Sequence, residues 1–231
     1  MNVLVACEES QRVCLAFREK GHNAFSCDIT DCSGGHPEYH IKGDVLQVLN
    51  PWDDGEFNGI DFCTCDGNIH CIDRWDLIIA HPPCTYLTVT GNRWFNVDKY
   101  GDKAKERISL REKAFDFVMQ IANADCEHIV IENPVGYLST KWRKPDQIIQ
   151  PYLFGEEIEK KTCLWLKNVP LLKPTKIITP PPRIRFKSGK TMAKWYCDLW
   201  GQADSAKIRS KTPLGIALAM AEQWGEIWLL N

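Results

Sequence analysis

The chain has 231 residues, 44% of them hydrophobic and 25% charged, with a formal net charge of -2. That length suits one ordinary domain with a modest subdomain and a full core. No apolar run approaches the roughly 18 residues that cross a bilayer, and the start runs straight into a strand without a basic, apolar leader, so no membrane partner and a cytoplasmic location are expected.

In chain order, strand signals fall at Val3 to Ala6, Ala24 to Cys27, Leu77 to Ala80, Ile129 to Ile131 and Leu164 to Leu166. Between and after them lie helical stretches at Ser10 to Lys20 and Asp102 to Ala124, with a last helix ending at Trp224. Strand and helix periods that alternate in this way predict an α/β fold with a parallel sheet covered by helices on both faces. The 11 cysteines are an odd count without secreted spacing, so reduced thiols are expected. Cys63, Cys65, His70 and Cys71 form one cluster and Cys32, His36 and His40 another. The first is spaced more tightly than usual zinc ligands, and chance clustering accounts for both in a cysteine-rich chain, so no metal is assigned.

The strand at Leu77 to Ala80 runs into His81-Pro82-Pro83-Cys84, and the strand at Ile129 to Ile131 runs into Glu132-Asn133-Pro134. Groups just past the carboxyl ends of parallel strands converge on one crevice, so Cys84 and Glu132 are expected to face the same ligand. A cysteine in a reducing compartment is more often a small buried hydrophobe. Two prolines that fix φ and remove donors suit a rigid presenting loop better than a packed interior. The bland alternative for Glu132 is a helix cap or a surface carboxylate. Together a thiol and an acid could activate a cytosine ring: the thiolate adds to carbon 6, the acid holds N3, and carbon 5 becomes nucleophilic.

At these residues the chain resembles the DNA cytosine-5 methyltransferase family, in the short form carried by phages and prophages. Pro82-Pro83-Cys84 and Glu132-Asn133 are the specific matches, and weaker ones follow in the family's order. The resemblance implies a Rossmann-like fold using S-adenosylmethionine, with Cys84 as nucleophile and Glu132 as the N3 partner beside Asn133. It implies a cofactor site at Ala6, Glu8 and Ser10, at Asp28 and Ile29, at Asp44 and Val45, and at Pro82 and Ser210. It also implies that Lys160 and Thr162, after Phe154-Gly155, hold the target base. An acidic residue closing the second strand is the usual acceptor for ribose hydroxyls, the place of Asp28. The chain departs from the family at three points. Residues 6–10 contain no glycine, Lys160 and Thr162 stand where the family has arginines, and Ser210 replaces an asparagine. An amino-group methyltransferase fits less well, because the residue before the prolines is neither Asp nor Asn and no aromatic follows them.

Residues 141–211 hold 16 Lys and Arg against 6 Asp and Glu, while residues 1–140 hold 12 against 22. A basic stretch carrying Trp142, Trp165, Trp195 and Trp200 suits phosphate tracking and base stacking. Its densest part, Arg183, Arg185, Lys187 and Lys190 behind a proline run, is the candidate DNA contact, with a solvated loop as the alternative. Arg93, in the polar and aromatic segment 85–101, could hold a phosphate if that segment closes over a flipped base. The expected division is a catalytic core of residues 1–140 plus 206–231 and a base-holding, basic region of residues 141–205. Only about 40 residues are left for target recognition, too few for a large reading domain. A free cytidine nucleotide or RNA as substrate, or a non-catalytic nucleic-acid-binding decoy, remain as alternatives.

Overall fold

The computed structural model describes residues 1–53, 55 and 58–226. The chain opens with β1 (Asn2–Ala6), α1 (Arg12–Glu19), β2 (Asn23–Asp28) and a short β3 (His40–Lys42). Next comes a meander of β4 (Trp52–Asp53), β5 (Asn58–Cys63) and β6 (Ile69–Ile72), which forms its own small sheet. β7 (Leu77–Ala80), α2 (Val97–Tyr100), α3 (Asp102–Ala122), β8 (His128–Pro134) and α4 (Leu138–Lys141) follow. β9 (Gln147–Ile149) and β10 (Thr162–Lys167) precede a hairpin of β11 (Arg183–Arg185) and β12 (Thr191–Ala193). The last helices are α5 (Lys194–Asp198), α6 (Ser205–Ser210) and α7 (Leu214–Trp224).

Seven strands share one sheet in the order β3-β2-β1-β7-β8-β10-β9. The run from β3 to β8 is parallel, in the register that sets Val3 beside both Ala24 and Leu77. β10 runs antiparallel to both β8 and β9, so the sheet is mixed but mostly parallel, as expected. The α/β architecture, with a mostly parallel sheet and helices on both faces, is the expected one and is compatible with a Rossmann-like fold.

Burial explains why these segments became strands. Every side chain from Val3 to Ala6 and from Leu77 to Ala80 is fully buried, as a strand covered on both faces requires. Val3, Val5, Leu77, Ile79 and Val130 pack with Val13 and Phe17 of α1 and with Ile216, Met220 and Trp224 of α7. Their alternates Leu4, Ile78, Ile129 and Ile131 join Trp75 and the α3 residues Val118 and Ile121 in the second core.

Residues 141–205 do not stand apart from this body, because β9 and β10 complete the main sheet. Residues 227–231 of the expected core lie outside the described residues. Trp165, grouped above with the basic surface, is buried and donates its indole N–H to the Arg143 carbonyl at 2.9 Å. Trp200 is 60% exposed. No helix among the described residues is long and apolar enough to cross a membrane.

The chain leaves β1 outward to β2 and β3 and returns on the other side of β1 with β7 and β8. The order therefore reverses between β1 and β7, where an open α/β sheet forms its ligand crevice beyond the carboxyl ends of the strands.

Candidate active site

Backbone hydrogen bonds join the two strand ends beside this crevice. His81 donates its N–H to the Ala6 carbonyl at 2.9 Å, fixing the exit of β7 against β1. The amides of Leu87 and Thr88 both turn back to the Cys84 carbonyl, at 3.0 and 3.1 Å, and make a tight turn after the cysteine. That turn is stitched to the chain beyond β8 by Tyr137 N–H to the Leu87 carbonyl at 2.6 Å and Val89 N–H to the Val135 carbonyl at 3.3 Å. Gly136 makes the approach possible, since a Cβ there would meet the Leu87 carbonyl oxygen at 1.9 Å. Asn133 is buried and donates from Nδ2 to the Pro82 carbonyl at 2.8 Å, so it braces the proline loop. Pro82 is itself buried. Arg107 and Arg111 of α3 donate to the Thr85 and Tyr86 carbonyls and pin the far side of the loop.

Cys84 is exposed and Glu132 is close enough to act on it. Desolvation of the part turned into the crevice, then the Glu132 charge, push the thiol above its usual 9.0, while Lys160 and Arg209 pull the other way. Glu132 is nearly dry, its side chain 15% exposed. Burial works to raise its carboxyl, but the His81 hydrogen bond, the Lys160 charge and the Thr162 hydroxyl outweigh burial and hold it below the usual 4.5. The resting pair is therefore a thiol beside a carboxylate. Lys160 donates to the Arg209 carbonyl at 2.9 Å, and Thr162 is buried at the start of β10.

Three neighbours gave no separate signal in the sequence. His81 Nδ1 lies 3.2 Å from Glu132 Oε2. The Tyr196 hydroxyl, on α5, is raised by desolvation and lies within reach of Arg209, Cys84 and Glu132. Arg209 acts on both Cys84 and Tyr196. Only His81 could have been suspected, from its place before Pro82.

At the other side of the crevice, burial and then the carboxylates of Asp28 and Asp44 raise the Cys7 thiol, so the ends of β1, β2 and β3 meet around it. Asp28 commits one carboxylate oxygen to the amide and hydroxyl of Thr30. Ile29, next to it, is 76% exposed, an apolar face beside a carboxylate. Asp44 caps the following turn through the Leu46 amide, and Val45 is buried in the core. Ala6 is fully buried.

Glu8 is turned inward. Its two oxygens accept from the Val13 and Cys14 amides at 2.8 and 3.1 Å, and Ser10 approaches at 3.5 Å. Burial raises its carboxyl, opposed by His81 and these donors. The first amides of α1 are thus already capped by a carboxyl group belonging to the chain, which leaves no seat there for the pyrophosphate of a dinucleotide. The Ser210 hydroxyl bonds to the Lys207 carbonyl at the end of α6.

Arg183 is tied to Glu159 and Thr191, whereas Arg185, Lys187 and Lys190 are exposed around the β11–β12 hairpin. Arg93 is exposed and stacks on Trp94, 4.6 Å from the ring centre. Among the described residues no three His, Cys, Asp or Glu side chains are placed to hold a metal ion. His70 instead packs against Phe25 and Phe62.

No protein-family model matches the chain, and no curated protein matches it.

Proposed function

We propose that the chain transfers a methyl group from S-adenosylmethionine to carbon 5 of cytosine in DNA. One observation carries this reading: an accessible thiol at Cys84, after β7, and a nearly dry carboxylate at Glu132, on the adjacent β8, act on each other beside the switch point of the sheet. The Cys84 thiolate adds to carbon 6 while Glu132 holds N3, which makes carbon 5 an enamine-like nucleophile. S-adenosylmethionine, when bound, supplies the electrophilic methyl group. Loss of the carbon 5 proton then expels Cys84 and restores the ring.

The residues at the ends of β1, β2 and β3 fit that cofactor. Asp28 and Asp44 would accept from ribose and adenine, and Ile29 would lie against the adenine. The cofactor carries no phosphate, which accords with an α1 first turn whose amides are already capped by Glu8. Tyr196 would cover a flipped base, and Arg93, Arg185, Lys187 and Lys190 would follow the flanking backbone.

Incubation with methyl-labelled S-adenosylmethionine and cytosine-containing DNA, RNA or nucleotide tests this. Label is expected on carbon 5 of cytosine in DNA, and none with Cys84→Ala. Label confined to RNA or nucleotide would reassign the substrate. No label from a folded protein would favour the nucleic-acid-binding decoy, and a Cys84→Ala chain that still methylates would overturn the mechanism.

A further inference from the structure

We propose that His81 is a positioning residue that hands Glu132 the proton which Glu132 presents to N3 of the bound cytosine. This rests on the function proposed above and adds a part to it.

His81 stands between the two ends of the problem. Its backbone is fixed to β1 through Ala6, and its Nδ1 meets Glu132 Oε2 at 3.2 Å, with the two side chains 9% and 15% exposed. Little bulk water can reach either group, so a proton arriving at Glu132 comes most directly from the ring already bonded to it. The other ring nitrogen, Nε2, is buried without a hydrogen-bond partner among the described residues.

The need for a donor follows from the resting state. Glu132 is ionised and so cannot by itself protonate N3. In the step proposed, the Cys84 thiol proton leaves to solvent and the thiolate bonds to carbon 6. The Nδ1 proton of the protonated His81 ring passes to Oε2, and Glu132 protonates N3. On elimination the carbon 5 proton goes to solvent, the sulfur–carbon bond breaks, the expelled Cys84 thiolate takes a proton back from solvent, and the N3 proton returns through Glu132 to His81. One proton is released per methyl group transferred, and the ring ends as it began.

Charged and titratable groups face this pair from several elements. Glu8 after β1 acts on His81. Cys84 after β7, Lys160 before β10, Cys163 on β10 and Tyr196 on α5 interact with Glu132. Arg209 on α6 acts on Cys84 and Tyr196.

The test uses His81→Gln, whose amide can still donate a hydrogen bond to Glu132 but cannot transfer a proton. The rate of covalent adduct formation with 5-fluorocytosine DNA in the presence of S-adenosylmethionine is followed across pH, with DNA affinity measured separately. The variant should be slower by about 100-fold near neutral pH, a usual share for a positioned acid or base. Its deficit should shrink as pH falls, because a growing share of chains then carries a proton on Glu132 before bound DNA covers the pair, and its DNA affinity should stay unchanged. A deficit equal at every pH, or a rate within about twofold of the parent chain, would overturn the proposal. Glu132→Gln alone and with His81→Gln closes a cycle: the double variant should be no slower than Glu132→Gln alone if His81 acts through Glu132. Additive losses would also overturn it. A parent chain that forms no adduct at any pH would instead refute the underlying function, and the role of His81 with it.

Discussion

Gly136→Ala tests what holds Cys84 opposite Glu132. The added Cβ would stand 1.9 Å from the Leu87 carbonyl oxygen, 2.9 Å from its carbon and 3.0 Å from the Thr88 Cα. All three are backbone atoms, so no side chain can rotate aside. Bringing the first contact out to about 3 Å means parting the nucleophile turn from the chain after β8 by about 1 Å, across the Leu87–Tyr137 and Val89–Val135 hydrogen bonds. Overpacking of this kind costs about 1–3 kcal/mol, and the lost hydrogen bonds put the effect toward the upper end. A shift of about 1 Å in a reacting group lowers the rate by about 100-fold. Urea unfolding and adduct formation with 5-fluorocytosine DNA measure the two effects. A folded variant with the parent midpoint and the parent rate would refute the claim that this contact sets the site.

Three further outcomes are expected. Glu8→Ala removes the acceptor for the Val13 and Cys14 amides and should destabilise the chain by about 1–2 kcal/mol in urea unfolding; no loss would mean α1 does not need this cap. Glu132 is held below the usual 4.5, so its stabilising contribution is present above that value and fades as pH falls through the lowered one. The stability gap between the parent and Glu132→Gln should therefore narrow from neutral to acid pH, and a gap that widens would contradict the sign. Lys160→Met removes a cation that lowers the Cys84 thiol, so the thiolate-dependent rise in adduct formation should move to higher pH. An unmoved rise would place Lys160 outside the site.

Parts of this architecture were legible because burial is written into composition. Leu77 to Ala80 reads as a strand to the residue, being wholly apolar and stopped by prolines. The direction of β10 was not legible, since direction depends on what the chain does between strands. Residues 150–161 connect β9 to β10 without a long helix, and a parallel pair would need a crossover. β3 and β9 are three residues each at the sheet edges, too short for a period to appear. Trp165 looked like surface because charges flank it, but β10 turns it inward.

The same division holds at the site. Cys84 and Glu132 could be brought together on paper because both follow buried strands. The bond between His81 and Glu132 spans 51 positions of sequence and has no local signature. Tyr196 lies on a five-residue helix without an apolar stripe. Glu8 lies where the resemblance implies a cofactor contact, but the fold turns it onto the first turn of α1, a contact with no local signature in the sequence.

The most direct measurement is peptide mass spectrometry of the chain after reaction with 5-fluorocytosine DNA and S-adenosylmethionine. The account predicts one cross-linked nucleotide, on the peptide containing Cys84, and none after Cys84→Ala. A cross-link on any other of the 11 cysteines, or an adduct that survives Cys84→Ala, would contradict it.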